Sequence, residues 1–446
     1  MIEKKGLTDN DLKKLLGTIR VPVSIEAFRS GLQTKHGNII RRRHDFSVDE
    51  IPFRSETIPW YALGNRPTEN SYGPTRTLAY ASGAYFVQDA GSLLALALCD
   101  ADRSPTSPLL ICDLCAAPGA KASALLEMIE QSQGFLLANE VIGTRLPALT
   151  SNLSRTGSNR FAVSSLDPTV LAKKLGSVFD IVLVDAPCSG QAMLSKGKQR
   201  ESSFSQPQVE HSALRQQRIL DAASQLIVEG GTLVYSTCTF AEAENEDQVD
   251  RLLKSGMFEP APSPRLEEYE TSSSCYRLWP HLHQCAGAFA SRLKIKNVHN
   301  VSVRPRKIVE TRVCDAPLKD WYVDDFRQCR LRQAGGSLFA WSNNAPHWVE
   351  SIAVNGPEIA HRTGQTWKPS HAGALRGLTE KKANQNFALD KESTKQYLRG
   401  ETIKLDAKGW GAVSYGGRPL GWVKAMNGIA KNHLPSHARF SGNLAD

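Results

Sequence analysis

The chain has 446 residues, 41% of them hydrophobic, with a formal net charge of +9 and nine cysteines. That length suits two to four domains with ample core, and no run of about 18 apolar residues is present to cross a membrane. The charge is uneven: residues 1–60 hold 11 Lys/Arg against 8 Asp/Glu, residues 61–300 hold 21 against 24, and residues 301–446 hold 22 against 13. A slightly acidic middle between basic flanks suits a phosphate-backbone partner, although solvated lysines are the bland alternative. Residues 1–9 carry acids and no apolar run, so no secretory signal is expected. Cysteines without framework spacing suit a reducing cytoplasm.

From about residue 80, strand-like and helix-like segments alternate, which predicts a doubly wound parallel sheet. A first strand is expected over 109–113, then a loop through Pro118 and Gly119 and a helix from about 120 to 131. A second strand over 134–138 ends at Asn139-Glu140, a helix covers roughly 141–155, and a third strand over 161–164 ends near Asp167. Residues 180–184 predict a fourth strand, and an amphipathic stretch over about 209–229 leads to a fifth at 231–234. A helix over 242–253, a surface excursion over 255–275 and antiparallel strands near 275–278 and 288–295 complete this part. Arg304-Pro-Arg-Lys307 reads as a basic linker. Residues 311–365 form a mixed segment with Trp321, Tyr322, Phe339, Trp341 and Trp348, and residues 371–446 suit a small β-barrel module. The expected domains are an N-terminal α+β region (1–80), an α/β core (81–300), an intermediate domain (301–370) and a β-rich C-terminal module (371–446).

Two strings follow the fourth and fifth strands: Asp185-Ala-Pro-Cys188-Ser-Gly190 and Tyr235-Ser-Thr-Cys238-Thr239. Open α/β sheets bind ligands outside the carboxyl ends of their strands. Two thiols and a carboxylate at that edge read as a reaction centre. A soft nucleophile, a second thiol and an acid beside a cofactor pocket suit methylation of a pyrimidine carbon. The loop Asp113-Leu-Cys-Ala-Ala-Pro-Gly-Ala-Lys121 brings small residues and a helix N-terminus to the same edge, so its backbone can approach a ligand closely. It is neither G-x-G-x-x-G nor G-x-x-x-x-G-K-[ST], which argues against NAD and ATP. Glu140 is placed to accept hydrogen bonds from a ribose diol, and Asp167 to reach an adenine amino group. Acids at four successive strand ends (Asp113, Glu140, Asp167, Asp185) suit an S-adenosyl-L-methionine pocket better than they suit solvation.

Other candidates have blander readings. Cys112-x-x-Cys115 has zinc or redox spacing without a second pair, and packing explains it better. His281, His283 and Cys285 suit a turn after Trp279-Pro280, so no metal is expected. The helix from His211 onward reads as core packing, with Gln217 facing the site. Trp410, Trp422 and Lys424 suit either a barrel core or RNA stacking.

Both cysteine motifs resemble those of the Nop/Sun (NSUN) type of RNA cytosine-C5 methyltransferase, closest to the bacterial RsmF-like 16S ribosomal RNA enzymes. The resemblance begins at Gly83-Ala-Tyr-Phe-Val-Gln-Asp89 and runs to about Lys296. It resumes at Tyr397-Leu-Arg-Gly-Glu401, Arg418-Pro-Leu-Gly-Trp-Val-Lys424 and Lys431-Asn-His-Leu-Pro435. It implies a Rossmann-like core, RNA binding by residues 1–80 and a PUA-like RNA-binding module over 371–446. Cys238 would attack C6 of the target cytosine, Asp185 would hold or protonate N3, and Cys188 would help release the product. The loop Ala116, Ala117, Pro118, Gly119, Ala120 and Lys121, with Glu140, Arg145, Asp167 and Asp185, would line the site of S-adenosyl-L-methionine. The implied partner is RNA, 16S ribosomal RNA or the small subunit, met by a cytoplasmic monomer that does not use a membrane. Transfer RNA methylation and a non-catalytic ribosome-assembly factor are the alternatives. Gly119-Ala-Lys-Ala122 departs from the family's Gly-Gly-Lys-Thr, and Gly190-Gln-Ala-Met-Leu-Ser-Lys196 lacks a Glu and an Arg usual there.

Overall fold

The computed structural model describes residues 8–68, 73–198, 201–296, 315–323, 326, 329–376, 383–440, 442 and 444. The basic linker Arg304–Lys307 lies outside them. Runs of Leu, Ile, Val and Phe build a nine-stranded sheet. Its strands are β1 (Leu110–Asp113), β2 (Phe135–Asn139), β3 (Phe161–Ser164), β4 (Phe179–Asp185), β5 (Ile227–Thr237), β6 (Phe258–Pro260), β7 (Glu270–Ser272), β8 (Cys275–Leu278) and β9 (Ala288–Ile295). The order is β7-β8-β9-β5-β4-β1-β2-β3, with β6 paired to β9. Strands β1 to β5 run parallel, and β9 returns antiparallel beside β5. This is the Rossmann-like α/β architecture that the alternating segments predict, with its switch point between β1 and β4.

Successive residues of a strand point to opposite faces, and both faces here are covered. Ile111 and Val234 join one apolar cluster with Leu125, whereas Cys112 and Leu233 join a second with Leu220. The covering helices are α1 (Ala120–Ile129), α2 (Leu146–Ser154), α3 (Pro168–Leu175), α4 (Gln206–Ser224) and α5 (Glu246–Lys254).

The structure corrects four boundaries. The helix expected over 141–155 is a 3-10 turn, Gly143–Arg145, followed by α2, because Pro147 has no N–H to donate and starts a helix more readily than it continues one. The amphipathic stretch to residue 229 ends at Ser224, and β5 begins at Ile227. Gly230, at φ +75°, takes the irregularity that lets Ile227 pair with Phe179 and Thr232 with Ile181. The helix over 242–253 is likewise a 3-10 turn, Glu242–Glu244, then α5, with Asn245 at φ −122° between them. Nor is 255–275 a mere surface excursion: β6 joins the sheet, Leu266 is fully buried, and Arg265 pairs with Asp102 at 2.8 Å.

Three smaller sheets surround this core. The first, near the N-terminus, contains Ile39–Arg42, Ser55–Thr57, Gly64–Pro67 and Tyr85–Gln88. The second, from Cys329–Ala334 to Thr366–Pro369, docks at β3: Val163 bridges Asn355, and Trp341 donates Nε1–H to the Phe161 carbonyl at 2.8 Å. The third contains Gly409–Tyr415 and Arg418–Met426, and its Trp422 shares an apolar cluster with Trp321, Tyr322 and Ile359. Trp422 is thus a core residue. Trp410 is only half-buried, with the Lys424 ammonium 5.7 Å from its ring centre.

Candidate active site

Strand register brings the two cysteine motifs together. Asp185, the last residue of β4, stands opposite Ser236 of β5. Cys188 and Cys238 therefore leave the sheet side by side, and their sulfurs lie 3.2 Å apart. The Cys238 N–H also points at the Cys188 sulfur, at 3.4 Å. The hydrogen bond to Cys238 and then burial push the Cys188 thiol well above its ordinary pKa, so Cys188 is held protonated. Asp185 accepts from Ser236 Oγ at 2.8 Å and pairs with Lys121 Nζ at 2.7 Å. Burial alone lowers the Lys121 ammonium pKa, but the Asp185 carboxylate outweighs it and holds the group above the usual lysine value.

A cavity of about 420 Å³ opens against these groups at the carboxyl ends of β1 to β5. Ala117, Glu140, Arg145, Asp167, Asp185, Cys188 and Cys238 all line it. Glu140 is buried; its carboxylate accepts from the Ile142 N–H at 2.8 Å and pairs with Arg145 at 2.9 Å. Arg145 also donates to the Ala117 carbonyl, tying the small-residue loop to the end of β2. Half-exposed Val141 and Ile142 supply an apolar wall beside the Glu140 carboxylate. A carboxylate next to an apolar wall, with helix N-termini nearby, fits a ribose carrying an aromatic base. The donor set therefore suits S-adenosyl-L-methionine.

The other expected loop residues shape the cavity rather than line it. Ala116 is buried, and its N–H donates to the Asn139 carbonyl. The Ala117–Pro118 peptide is cis, and the Pro118 carbonyl accepts from Asn152 Nδ2 at 2.8 Å. Gly119 caps α1 at φ +109°, and a Cβ there would stand 3.1 Å from Asn152 Cβ. Ala120 begins α1, and Lys121 reaches Asp185 from its first turn.

Two expectations need correction. Asp167 does not end β3, which stops at Ser164; it caps α3, with its Oδ1 accepting from the Thr169 N–H at 2.9 Å. An Asp before a proline at the first helical position is a favoured N-cap. On α4 it is not Gln217 but Gln216 that turns inward, donating to the Pro187 carbonyl at 3.1 Å; Arg215 and Arg218 of the same helix line the cavity. Adjacent helical positions lie about 100° apart, so a one-residue misjudgement exchanges faces.

Several structural residues went unread. Glu244 is fully buried and accepts from the Ser189 N–H at 2.9 Å, Gln216 Nε2 at 2.8 Å and Thr239 Oγ1 at 3.4 Å. It thereby ties the Cys188 loop to the Cys238 loop from behind. Burial raises its carboxyl above the ordinary value. Asn139 pins three strand-end loops, donating to the Leu114 and Leu166 carbonyls and accepting from Ser164 Oγ. A Glu-Asn pair six and seven residues past a motif cysteine is the signal that could have exposed the first of these.

The decoys have ordinary surroundings. Cys112 is buried within β1. His283 Nδ1 accepts from the Trp279 N–H at 2.7 Å, and His281 lies 2.8 Å from the Pro22 carbonyl, both in a short helix after Trp279. Among the described residues no group of three His, Cys, Asp or Glu could hold a metal ion, and no helix is long and apolar enough to cross a membrane.

Comparison with known proteins gives this geometry relatives. Residues 102–294 match the family described as 16S rRNA methyltransferase RsmB/F, and residues 384–440 match the methyltransferase RsmF PUA domain. A ribosomal RNA small subunit methyltransferase F of Shewanella loihica is 29% identical over 412 residues, covering 85% of this chain and 83% of that protein. An Escherichia coli protein of the same name is 27% identical over 420 residues, covering 87% and 85%. Two Pyrococcus horikoshii structures share the fold. One, a methyltransferase homolog protein, is 23% identical with a TM-score of 0.53, covering 65% of this chain and 99% of its own. The other, NSun6 with SFG, is 17% identical with a TM-score of 0.53, covering 64% and 97%. The chain thus carries a methyltransferase domain of the RsmB/F type and a PUA domain of the RsmF type, and its cofactor is S-adenosyl-L-methionine.

Proposed function

We propose that the enzyme forms 5-methylcytidine in 16S ribosomal RNA through a covalent bond from Cys238 to C6 of the target cytosine. The observation that supports this most is the approach of two thiols to 3.2 Å beside an Asp–Lys pair, at the wall of the cofactor cavity. Cytosine C5 is too weak a nucleophile for direct methylation. Addition of a thiolate at C6 converts the ring to an enamine whose C5 can react, and sulfur is the best side-chain atom for that addition. Asp185, which lines the cavity and is held by Lys121 and Ser236, holds or protonates N3 as charge develops on the ring. Bound S-adenosyl-L-methionine supplies the methyl group as an electrophilic carbon. Afterwards the C5 proton passes to water, the C5–C6 double bond re-forms and the C6–sulfur bond breaks, its electron pair returning to Cys238 as a thiolate. Cys188, kept protonated, hydrogen-bonds the departing sulfur of Cys238 and eases that step.

The ribosomal substrate rests on the names of the relatives and on the PUA match. We infer from that substrate an enzyme that works in the cytoplasm on RNA whose target base leaves its stack. The two cysteines are expected to fail differently. With substrate RNA and cofactor, Cys188→Ala accumulates a protein–RNA adduct that survives a denaturing gel, while Cys238→Ala yields neither adduct nor methyl transfer. The reverse pattern would exchange the two roles, and identical behaviour would remove the covalent mechanism.

A further inference from the structure

A second cavity, of about 660 Å³, lies away from the thiols, where the core, the middle sheet and the C-terminal module meet. Its walls carry two guanidinium groups and three imidazoles. Arg155 comes from the end of α2, His361 and His371 from the middle sheet and the short helix after it, and His437 and Arg439 from the C-terminal tail. Glu358 is the sole carboxylate among the described lining residues, and it accepts from Ser337. Two lining groups are buried polar atoms with no hydrogen-bond partner among the described residues, Thr150 Oγ1 and His371 Nδ1. Aromatic surface stands at the same rim: the Tyr80 and Phe440 rings meet edge to face at 6.1 Å, and Arg155 lies over Tyr80 at 5.2 Å.

Unpaired hydrogen-bonding groups, guanidinium and imidazole side chains, and half-buried aromatic rings together match one ligand chemistry, a phosphate ester bearing a flat base. The position is consequential as well. Asn152, on the cavity wall, donates to Pro118 of the cofactor loop.

We propose that this junction cavity holds a single-stranded nucleotide of the substrate RNA other than the one methylated, which rests on the reading of RNA as the substrate. Arg439 and His437 take the phosphate, and Tyr80 and Phe440 take the base. The site exists only in the assembled chain, because three separate segments build it. It therefore lets the C-terminal module set the position of the RNA relative to the thiols.

The test uses the full chain with a fluorescent single-stranded oligouridylate and with a 16S RNA fragment carrying 4-thiouridine. The side chains of Arg439 and His437 are exposed, so the Arg439→Gln/His437→Gln double variant keeps its fold, checked by unchanged binding of S-adenosylhomocysteine. Its affinity for oligouridylate should fall about five- to tenfold, with the slope of log affinity against log salt shallower by about 0.7 per lost contact. Arg439→Lys should restore part of both. Photocrosslinks should map to the Tyr80 or Phe440 peptides. Unchanged affinity and slope, or crosslinks confined to other peptides, would overturn the assignment. If the wild type methylates RNA and the double variant matches it, the cavity alone is refuted; if the wild type neither binds nor methylates RNA, the substrate reading fails and takes the cavity with it.

Discussion

Asp113 ends β1 with a carboxylate buried beneath the cofactor cavity, neither oxygen holding a well-formed hydrogen bond among the described residues. Burial, reinforced by the nearby Asp185 charge, pushes its carboxyl up to about 7. A carboxyl raised in the folded state binds a proton that the unfolded chain has already released, so its contribution to stability declines as pH rises from about 4 through about 7. Asp113→Asn is expected to remove that decline: denaturant titrations should show the variant gaining on the wild type across this interval and no further above it. A constant difference at every pH would show that Asp113 is already ionised. Glu140 tests the cofactor end of the same cavity. Glu140→Ala should weaken S-adenosylhomocysteine binding by about 1–3 kcal/mol, the worth of hydrogen bonds to a charged acceptor, read by calorimetry without RNA.

At the scale of elements, the loops after β4 and β5 carry the thiols, and neither loop fixes them alone. Their common support is the Glu244 carboxylate, packed against Gln216 of α4. Glu244→Ala removes the buried acceptor shared by the Ser189 N–H and the Gln216 amide, a loss of about 1–3 kcal/mol in stability. The more telling outcome is kinetic. Methyl transfer should fall with S-adenosylhomocysteine affinity unchanged, because the cofactor loop follows β1 and is held by Arg145 and Asn152 instead. A parallel loss of cofactor affinity would place Glu244 in general stability.

For the molecule as a whole, the basic C-terminal third is not a separable tail. Trp341 is fully buried against the core, in one cluster with Phe179, and Trp348 stacks edge to face on Phe135 and Phe179. A cut near residue 300 would therefore uncover the core rather than merely remove charge. Trp341→Ala should cost about 3–5 kcal/mol, in the range for large aromatic truncations, and should lower a single cooperative transition. Two separate melting steps, with only the later one shifted, would show that the middle sheet folds apart from the core.

The positions of Asp113, Glu140 and Asp185, the small-residue loop and the paired Pro-Cys and Thr-Cys-Thr motifs were legible because each depends on local sequence beside a strand of buried, mostly apolar residues. Their convergence on one sheet edge follows from parallel topology alone, since every strand delivers its carboxyl end to the same side. Asp167 and Gln217 were misjudged for the opposite reason: a proline-led cap and a one-residue helical rotation are settled by packing, not by pattern. Tertiary structure alone decided that sulfurs 50 residues apart meet at 3.2 Å, which needs the in-register pairing of Asp185 with Ser236. It also decided the Glu244 clamp, the insertion of Trp341 and the arginine- and histidine-lined cavity at the three-way junction. Each of these joins residues distant in sequence, and no periodicity within one segment records which partner another segment will present.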